Sequence, residues 1–406
     1  MSTDTADMER THGPACEPGQ MCEPAKRASL IATGVGAVAI LALVLVDYPR
    51  AMADFLVMYT FVLTAGLGSL FLVALEYTVH ARWSVPFRRI SENLSALILV
   101  SLVLVIPVLV GMTTLYEWTH AEAVAHDHLL HEKAPYLNLP FFFARLAFYY
   151  AVWIGSYLFF TKGSRAQDDS RDPAFTFRAR RFAPVALILF AVTTTFAAID
   201  FIMSLTPHWY STSMGVYFFS GAIVAGFALT TFVASSLKVR GMLPDEIHRD
   251  HFYNLGAMMF AMNVFWAYIA FTQYMLIWYG NLPEELAWYH LRGSVGWILV
   301  AGVLIVGHFL IPFSALLSRS AKMNVDRLRW VSAWLLGMHW FDLMYMILPS
   351  VPTASGEPLG MWCLLDYGFL LFAVGVMGLV WWWRVPKSSL LPVGDPRLDA
   401  GLEFHL

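Results

Sequence analysis

Cysteine is nearly absent from this chain, three in 406 residues at Cys16, Cys22 and Cys363, and that scarcity removes several chemistries at once. No disulfide framework and no four-cysteine iron–sulfur site can be built, and the two Cys-Glu-Pro triplets lack the Cys-x-x-Cys-His spacing that attaches a c-type haem. Any electrons must therefore be handled by another chain, and none of the protein's own residues is expected to hold a redox cofactor. Charge is scarce too. Asp, Glu, Lys and Arg make up 14% of the residues with a net charge of −3, against about 25% in soluble domains, and a nucleic-acid partner is not expected. The leading segment, Met1 to Lys26, is polar and has no apolar h-region, so it reads as a tail rather than a signal peptide. Alternating segments of about ten residues, the mark of a membrane β-barrel, are missing as well.

What remains is apolar: 58% of the residues are hydrophobic and 15% aromatic. A bilayer-crossing helix needs roughly 20 mostly apolar residues. Ten such runs occur, near Ala28–Val46, Met52–His80, Ser91–Leu115, Leu139–Thr161, Ala183–Thr206, Thr212–Leu237, Phe252–Tyr279, Arg292–Ser318, Arg327–Pro349 and Met361–Trp383. The expected fold is an all-α polytopic membrane protein, with tails at 1–27 and 386–406 around a ten-helix domain. Of the 26 Lys and Arg residues, 22 fall on one side of this topology, leaving Arg50, Lys133 and Arg292 on the other and Arg145 within a span. The positive-inside rule then puts both termini in the cytoplasm of a bacterial inner membrane protein.

A repeat lies within the helices. The fifth run ends Asp200-Phe-Ile-Met-Ser-Leu-Thr-Pro207 and the ninth ends Asp342-Leu-Met-Tyr-Met-Ile-Leu-Pro349, while Arg82-Trp-Ser-Val-Pro86 after the second is matched by Arg240-Gly-Met-Leu-Pro244 after the sixth. The shared register predicts two parallel four-helix bundles, spans two to five (52–206) and six to nine (212–349), flanked by spans one and ten. Parallel repeats of this kind recur in transporters.

Ionisable residues inside spans are rare and usually face a bundle interior or a water-filled cavity. At 1.5 Å per residue from the cytoplasmic helix ends, Glu76 lies about 6 Å deep, His308 about 15 Å, His339 about 18 Å, Asp342 about 22 Å, Arg145 about 24 Å and Asp200 about 26 Å. Together they form a candidate proton ladder, with His339 and Asp342 on one helix face and Thr193, Thr194, Thr195 and Asn263 at intermediate depth. Plainer readings stand beside it. Asp200 and Arg145 suit a structural ion pair, His308 and His339 suit hydrogen-bonded core histidines, and Glu76 suits a solvated group or a partner of His80. Gln273, Tyr274 and Trp278 suit either an outer aromatic belt or a quinone headgroup contact. The loop carrying His120, His126, His128 and His131 matches no metal signature and reads as an outer contact surface, together with Asn281 to His290.

The stretches DFIMSLTPHWYSTSMGVYFFSGA, MMFAMNVFWAYIAFTQYMLIWYGNLPEE and HWFDLMYMILPS resemble the polysulfide-reductase membrane-subunit (NrfD-like) family, and within it the ActF-type subunit of bacterial Alternative Complex III, a quinol:cytochrome c oxidoreductase. Thr206 departs from the family pattern, which leads one to expect a carboxylate there. The resemblance implies a ten-helix subunit without its own redox cofactor. It would lie beside a paralogous NrfD-like subunit, an iron–sulfur subunit and multihaem and monohaem cytochromes c, with a terminal oxidase as a further neighbour. It also implies quinone binding in the paralogue and proton half-channels in both membrane subunits. Two rival classes are a b-type cytochrome whose haem is ligated by His308 and His339, and an autonomous secondary transporter.

Overall fold

The computed structural model describes residues 23–352, 358–360, 363–387 and 389–406. The expectations for Cys16, Cys22 and most of the leading tail, and the start of the tenth run at Met361, lie outside them. Ten helices are long and apolar enough to cross a membrane: α1 Glu23–Val46, α2 Tyr48–Val79, α3 Val85–Val110, α4 Leu139–Ser170, α5 Ala174–Leu205, α6 Met214–Val239, α7 Arg249–Gly280, α8 Val295–Ala315, α9 Val325–Ser350 and α10 Asp366–Lys387. The described residues contain no β-strand. The protein is an all-α, multi-pass membrane protein.

Local chemistry sets the helix ends. Asp47 caps α2 by accepting from the Arg50 amide at 3.2 Å, Asn138 caps α4 by accepting from Phe141 at 2.9 Å, and Asn324 caps α9 by accepting from Arg327 at 2.8 Å. Such caps satisfy amides that have no partner within the helix. Four helices run to 32 residues, α2, α4, α5 and α7, longer than the apolar runs alone suggest, because their polar ends continue the helix beyond the hydrocarbon. Within α3 the helix is interrupted at Ser95 and Ala96, between Val85–Leu94 and Leu97–Val110.

The centre is α2. In its apolar core segment 89% of residues are buried, against 11% in α1 and 28% in α7 and α8, which therefore face the lipid. Around α2 pack α3, α5, α6, α9 and α10, while α6 in turn packs on α5, α7 and α9. The crossing of α2 and α6 depends on two glycines. A Cβ on Gly68 would lie 1.9 Å from the Ala222 carbonyl oxygen, and one on Gly226 would lie 2.2 Å from the Gly68 carbonyl carbon. These two positions are separated by the same offset along the chain as Arg82 and Arg240, so equivalent positions of the sequence register meet face to face. Close approach of this kind drives helix association where lipid provides no hydrophobic force. On the periphery α1 is held to α10 in a similar way, through Gly36, Gly368, Gly375 and Gly378.

The segment after α10 is docked and not a free tail. Leu391, Asp395, Leu398 and Leu402 are buried, and Gly394 donates its amide to Asp168 at 3.1 Å.

Gly68→Ala and Gly226→Ala should each prevent the α2–α6 crossing, because the contacted atoms are backbone and cannot turn aside; overpacking typically costs about 1–3 kcal/mol even where side chains can move. Gly155→Ala, where no atom lies within 4 Å of the added methyl, is the matched control. Thermal unfolding in detergent should show a large loss of stability for the first two and none for the third.

Candidate functional site

Two buried carboxylates in the repeated Asp and Pro register have opposite environments. Asp200 on α5 is fully compensated: Arg145 of α4 donates to both its oxygens at 2.9 and 2.8 Å, and Tyr149 adds a hydroxyl at 2.7 Å. The guanidinium also donates to the Tyr136 carbonyl at 2.9 Å and stacks on the Tyr136 and Phe141 rings. The geometry is that of a bidentate structural ion pair.

Asp342 on α9 has no cation. Tyr217 of α6 donates its hydroxyl to Oδ1 at 2.5 Å and the Trp266 indole of α7 donates to Oδ2 at 3.0 Å. His308 of α8 and His339 of α9 complete the group, and one ligand atom from each of the three residues lies within 4.8 Å of the others. All three residues are wholly buried.

Hydrogen bonding assigns the imidazole tautomers. Asn263 donates its amide nitrogen to the His308 carbonyl at 3.0 Å, so its Oδ1, 3.1 Å from His308 Nδ1, is the acceptor for that ring. His308 Nδ1 therefore carries the hydrogen, leaving Nε2 bare. The Thr64 hydroxyl oxygen lies 2.9 Å from His339 Nε2 and 2.8 Å from the Thr60 carbonyl of its own helix, so Nε2 is the engaged nitrogen of that ring. His339 Nδ1 is left bare. Both bare nitrogens are enclosed without a partner. Each imidazole thus keeps one ring nitrogen without a partner, and the two rings and the carboxylate converge. A buried acceptor left unsatisfied costs about 1–3 kcal/mol, so the cluster favours a proton or a water bound among its members.

Helix α8 is not a regular α-helix here. Residues Leu304–Leu310 form a π-helical segment that contains His308, a distortion that concentrates at functional sites. The His308 ring lies on Trp266 with centroids 3.7 Å apart.

Other expected residues fall elsewhere. Glu76 is neither solvated nor paired with His80. It accepts from Arg88 at 2.9 Å and from Arg397 at 3.4 Å, within a buried network where Arg88 also meets Asp395 at 2.5 Å and Glu92 at 3.4 Å, and Arg89 meets Glu92 at 3.0 Å and Asp168. A cavity of about 270 Å³ between α2, α3, α6 and α7 opens beside Glu76 and Arg88. The ladder is therefore not one chain of contacts: Arg145 and Asp200 form one site, His308, His339 and Asp342 another, and Glu76 a third.

Gln273 is buried and accepts from Ser213 at 3.3 Å, whereas Tyr274 and Trp278 are 48% and 64% exposed. Tyr274 and Trp278, four residues apart, share an exposed face from which Gln273 points away, and none of the three lines the cavity beside Glu76 or the larger groove of about 580 Å³ on the opposite face. Nor do Thr193 and Thr194 hold open a water path. Thr193 accepts from Trp153 at 2.8 Å, and both hydroxyls donate to their own helix. Among the described residues, the four loop histidines join no group of three convergent metal ligands. His308 and His339 face each other across the site, each ring packed against a neighbouring helix. Trp266 covers one ring, and a Cβ on Gly221 would lie 3.1 Å from the other.

Tyr217, Trp266 and Thr64 were not legible as site residues, since each reads locally as ordinary span composition. A signal did exist for Asp54 and Asp366. Asp54 sits inside the second apolar run, and its two oxygens are buried without a partner, next to Asp366, which takes both contacts from Arg50 at 2.8 and 2.5 Å. A scan against family models finds no match for this chain, and a search of curated proteins finds no relative.

Two predictions follow from these charges. Arg145→Leu should destabilise the protein by about 3–5 kcal/mol by orphaning Asp200, and the double variant Arg145→Leu/Asp200→Leu should recover most of it, as read from thermal unfolding. In the docked C-terminal segment, burial alone would raise the Asp395 carboxyl, but the attraction of Arg88 and Arg397 outweighs it and draws the group from 3.8 down to about 2. A depressed acid stabilises the fold fully above about 3.8 and loses that contribution as pH falls through about 2. Limited proteolysis should therefore release the segment after Lys387 in strong acid, and Asp395→Asn should release it at neutral pH.

Proposed function

We propose that this chain is a proton-carrying membrane subunit of the NrfD-like type, serving a respiratory quinol:cytochrome c oxidoreductase of the Alternative Complex III kind. The observation that carries the reading is the acceptor-only cluster of His308, His339 and Asp342. A carboxylate at the centre of a span adds about 2.5–3.5 kcal/mol to insertion unless it is partnered or hydrated. Asp200 meets that requirement with an arginine. Asp342, with two neutral donors and two bare imidazoles beside it, meets it best by taking up a proton, and two titratable rings within reach give that proton somewhere to go.

On this reading Asp342 is the proton-holding carboxyl, Tyr217 and Trp266 orient it, and His308 and His339 accept and return the proton. Asn263 and Thr64 fix the tautomers that leave the receiving nitrogens bare. Helix α8 supplies the mobile part, because a π-helical segment can change register without ending the helix. Quinol oxidation happens in the neighbouring paralogous subunit, and the haems and iron–sulfur clusters belong to partner chains. The termini and the cation-rich face lie in the cytoplasm of a bacterium. The groove of about 580 Å³ on the other face is lined by Glu117, His120, His208, Trp209, Trp288 and Pro349, and offers a seat for the extramembrane redox subunits.

The test is reconstitution of the purified complex into liposomes. Asp342→Asn keeps the shape of the side chain and removes the titratable group, so quinol oxidation should continue in detergent while proton translocation is lost. Asp200→Asn should instead lower thermal stability and leave the proton-to-electron ratio of the surviving complex unchanged. An unchanged ratio in Asp342→Asn would overturn the proton role, and a subunit that purifies functional without cytochromes would overturn the respiratory one.

A further inference from the structure

A second convergence of imidazoles and a carboxylate lies outside the membrane site, where the docked C-terminal segment meets the start of α7. Asp250 is in the first turn of α7, and its Oδ2 lies 3.8 Å from His248 Nδ1 and 3.7 Å from His405 Nδ1. The His248 and His405 rings are parallel within 12° and stacked with centroids 4.4 Å apart, so the two Nδ1 atoms point the same way, toward one carboxylate oxygen. One donor atom from each of the three side chains lies within 4.8 Å of the others.

We propose that His248, Asp250 and His405 bind a divalent cation of the zinc class and that this ion fastens the C-terminal segment to the body of the protein. The distances suit such an ion. With metal–nitrogen and metal–oxygen bonds of roughly 2.0–2.2 Å, the donors of a tetrahedral site stand about 3.4 Å apart; the carboxylate–imidazole distances of 3.8 and 3.7 Å close with movements of a few tenths of an ångström, and the exposed His405 ring turns out of its stack on His248 so that both Nδ1 lone pairs meet on the ion. The donor set, two imidazoles and one carboxylate, is the kind that prefers zinc over magnesium or calcium. A fourth position is open to water, because the side chain of His405 is 72% exposed, and those of His248 and Asp250 are 27% and 20% exposed. Among the described residues no lysine or arginine pairs with Asp250, whose only charged partners are these two histidines.

The surroundings hold the ligands in place. His251 has both ring nitrogens engaged: Nε2 bonds the Gly401 carbonyl at 2.7 Å and Nδ1 accepts from the His248 amide at 3.3 Å. It therefore ties the helix Leu398–Leu402 to the same turn of α7 and sets the approach of His405 without being free to ligate. The Leu406 amide lies 3.4 Å from Asp250 Oδ2, and the Asp250 amide 3.3 Å from His248 Nδ1. These weak bonds are displaced when the metal takes the lone pairs. The site is independent of the proton reading, because it lies at the surface and shares no residue with the membrane cluster.

The experiment is calorimetric titration of Zn²⁺ into the full-length, tag-free protein in detergent at neutral pH, with ligand identity read by X-ray absorption. One high-affinity ion per chain is expected, coordinated by imidazole and carboxylate. His248→Ala, Asp250→Asn and His405→Ala should each weaken it at least tenfold, and binding should fade as pH drops below roughly 6.5, where histidines protonate. Circular dichroism of the metal-free variants checks folding, and His405→Ala is the decisive one because its side chain is largely exposed. Replacing His126, His128 and His131 together by alanine should leave that binding intact. Absence of stoichiometric zinc, binding indifferent to His405→Ala in a folded protein, or loss of binding in the loop triple variant would each overturn the proposal.

Discussion

An ionised group shut away from water must find its compensation inside the protein, and that constraint orders the interior of this molecule. Most of the buried cations have a partner. Arg145 takes Asp200, Arg50 takes Asp366, and Arg88 shares Glu76, Glu92 and Asp395. Arg292 has no acid at all and is satisfied by the carbonyls of Trp288, Tyr345 and Met346, with its guanidinium flat on the Trp288 ring. Where both members of a pair are charged, the attraction offsets a desolvation cost of several kcal/mol per ion. Among the described residues two acids stand outside that pattern: Asp54, whose oxygens have no hydrogen-bond partner beside Asp366, and Asp342, whose partners are a phenol, an indole and two imidazoles, none of them fixed in a charged state.

Packing decides which acid is left in that position. The glycine crossing of α2 and α6 draws Thr64 and Tyr217 toward the same interior, so one helix reaches His339 and the other reaches Asp342. In the first bundle the residue at the position equivalent to Tyr217 is Tyr59, and its hydroxyl sits 3.4 Å from Tyr150 instead of on a carboxylate. Asp200 is served by α4, with Arg145 one turn before Tyr149 on the same face. The two Asp positions thus share a sequence register and differ in their surroundings. One end became a locked pair and the other a cluster of acceptors.

Rigidity is distributed in the same way. The Arg88 network welds α2, α3, the end of α4 and the C-terminal segment, and the Arg145 pair welds α4 to α5. Neither can exchange protons without leaving a buried arginine uncompensated. The cluster on α8 and α9 carries no such weld, and the π-helical segment Leu304–Leu310 carries His308.

By itself the sequence determined the all-α class and the ten apolar helices, since both follow from length and hydropathy. It also placed His339 and Asp342 on one face, because helical periodicity is local. Partnership was decided only by the tertiary structure. Tyr217, Trp266, Asn263 and Thr64 come from three other helices, and nothing within a span says which residue of another span will stand opposite. The same holds for Glu76, whose partners include Arg397, 321 positions away along the chain. A segment such as Gly394 to Leu402 has no hydrophobic run to announce that it will be buried. Depth in a membrane is a property of one helix, whereas compensation of charge is a property of the helices that surround it.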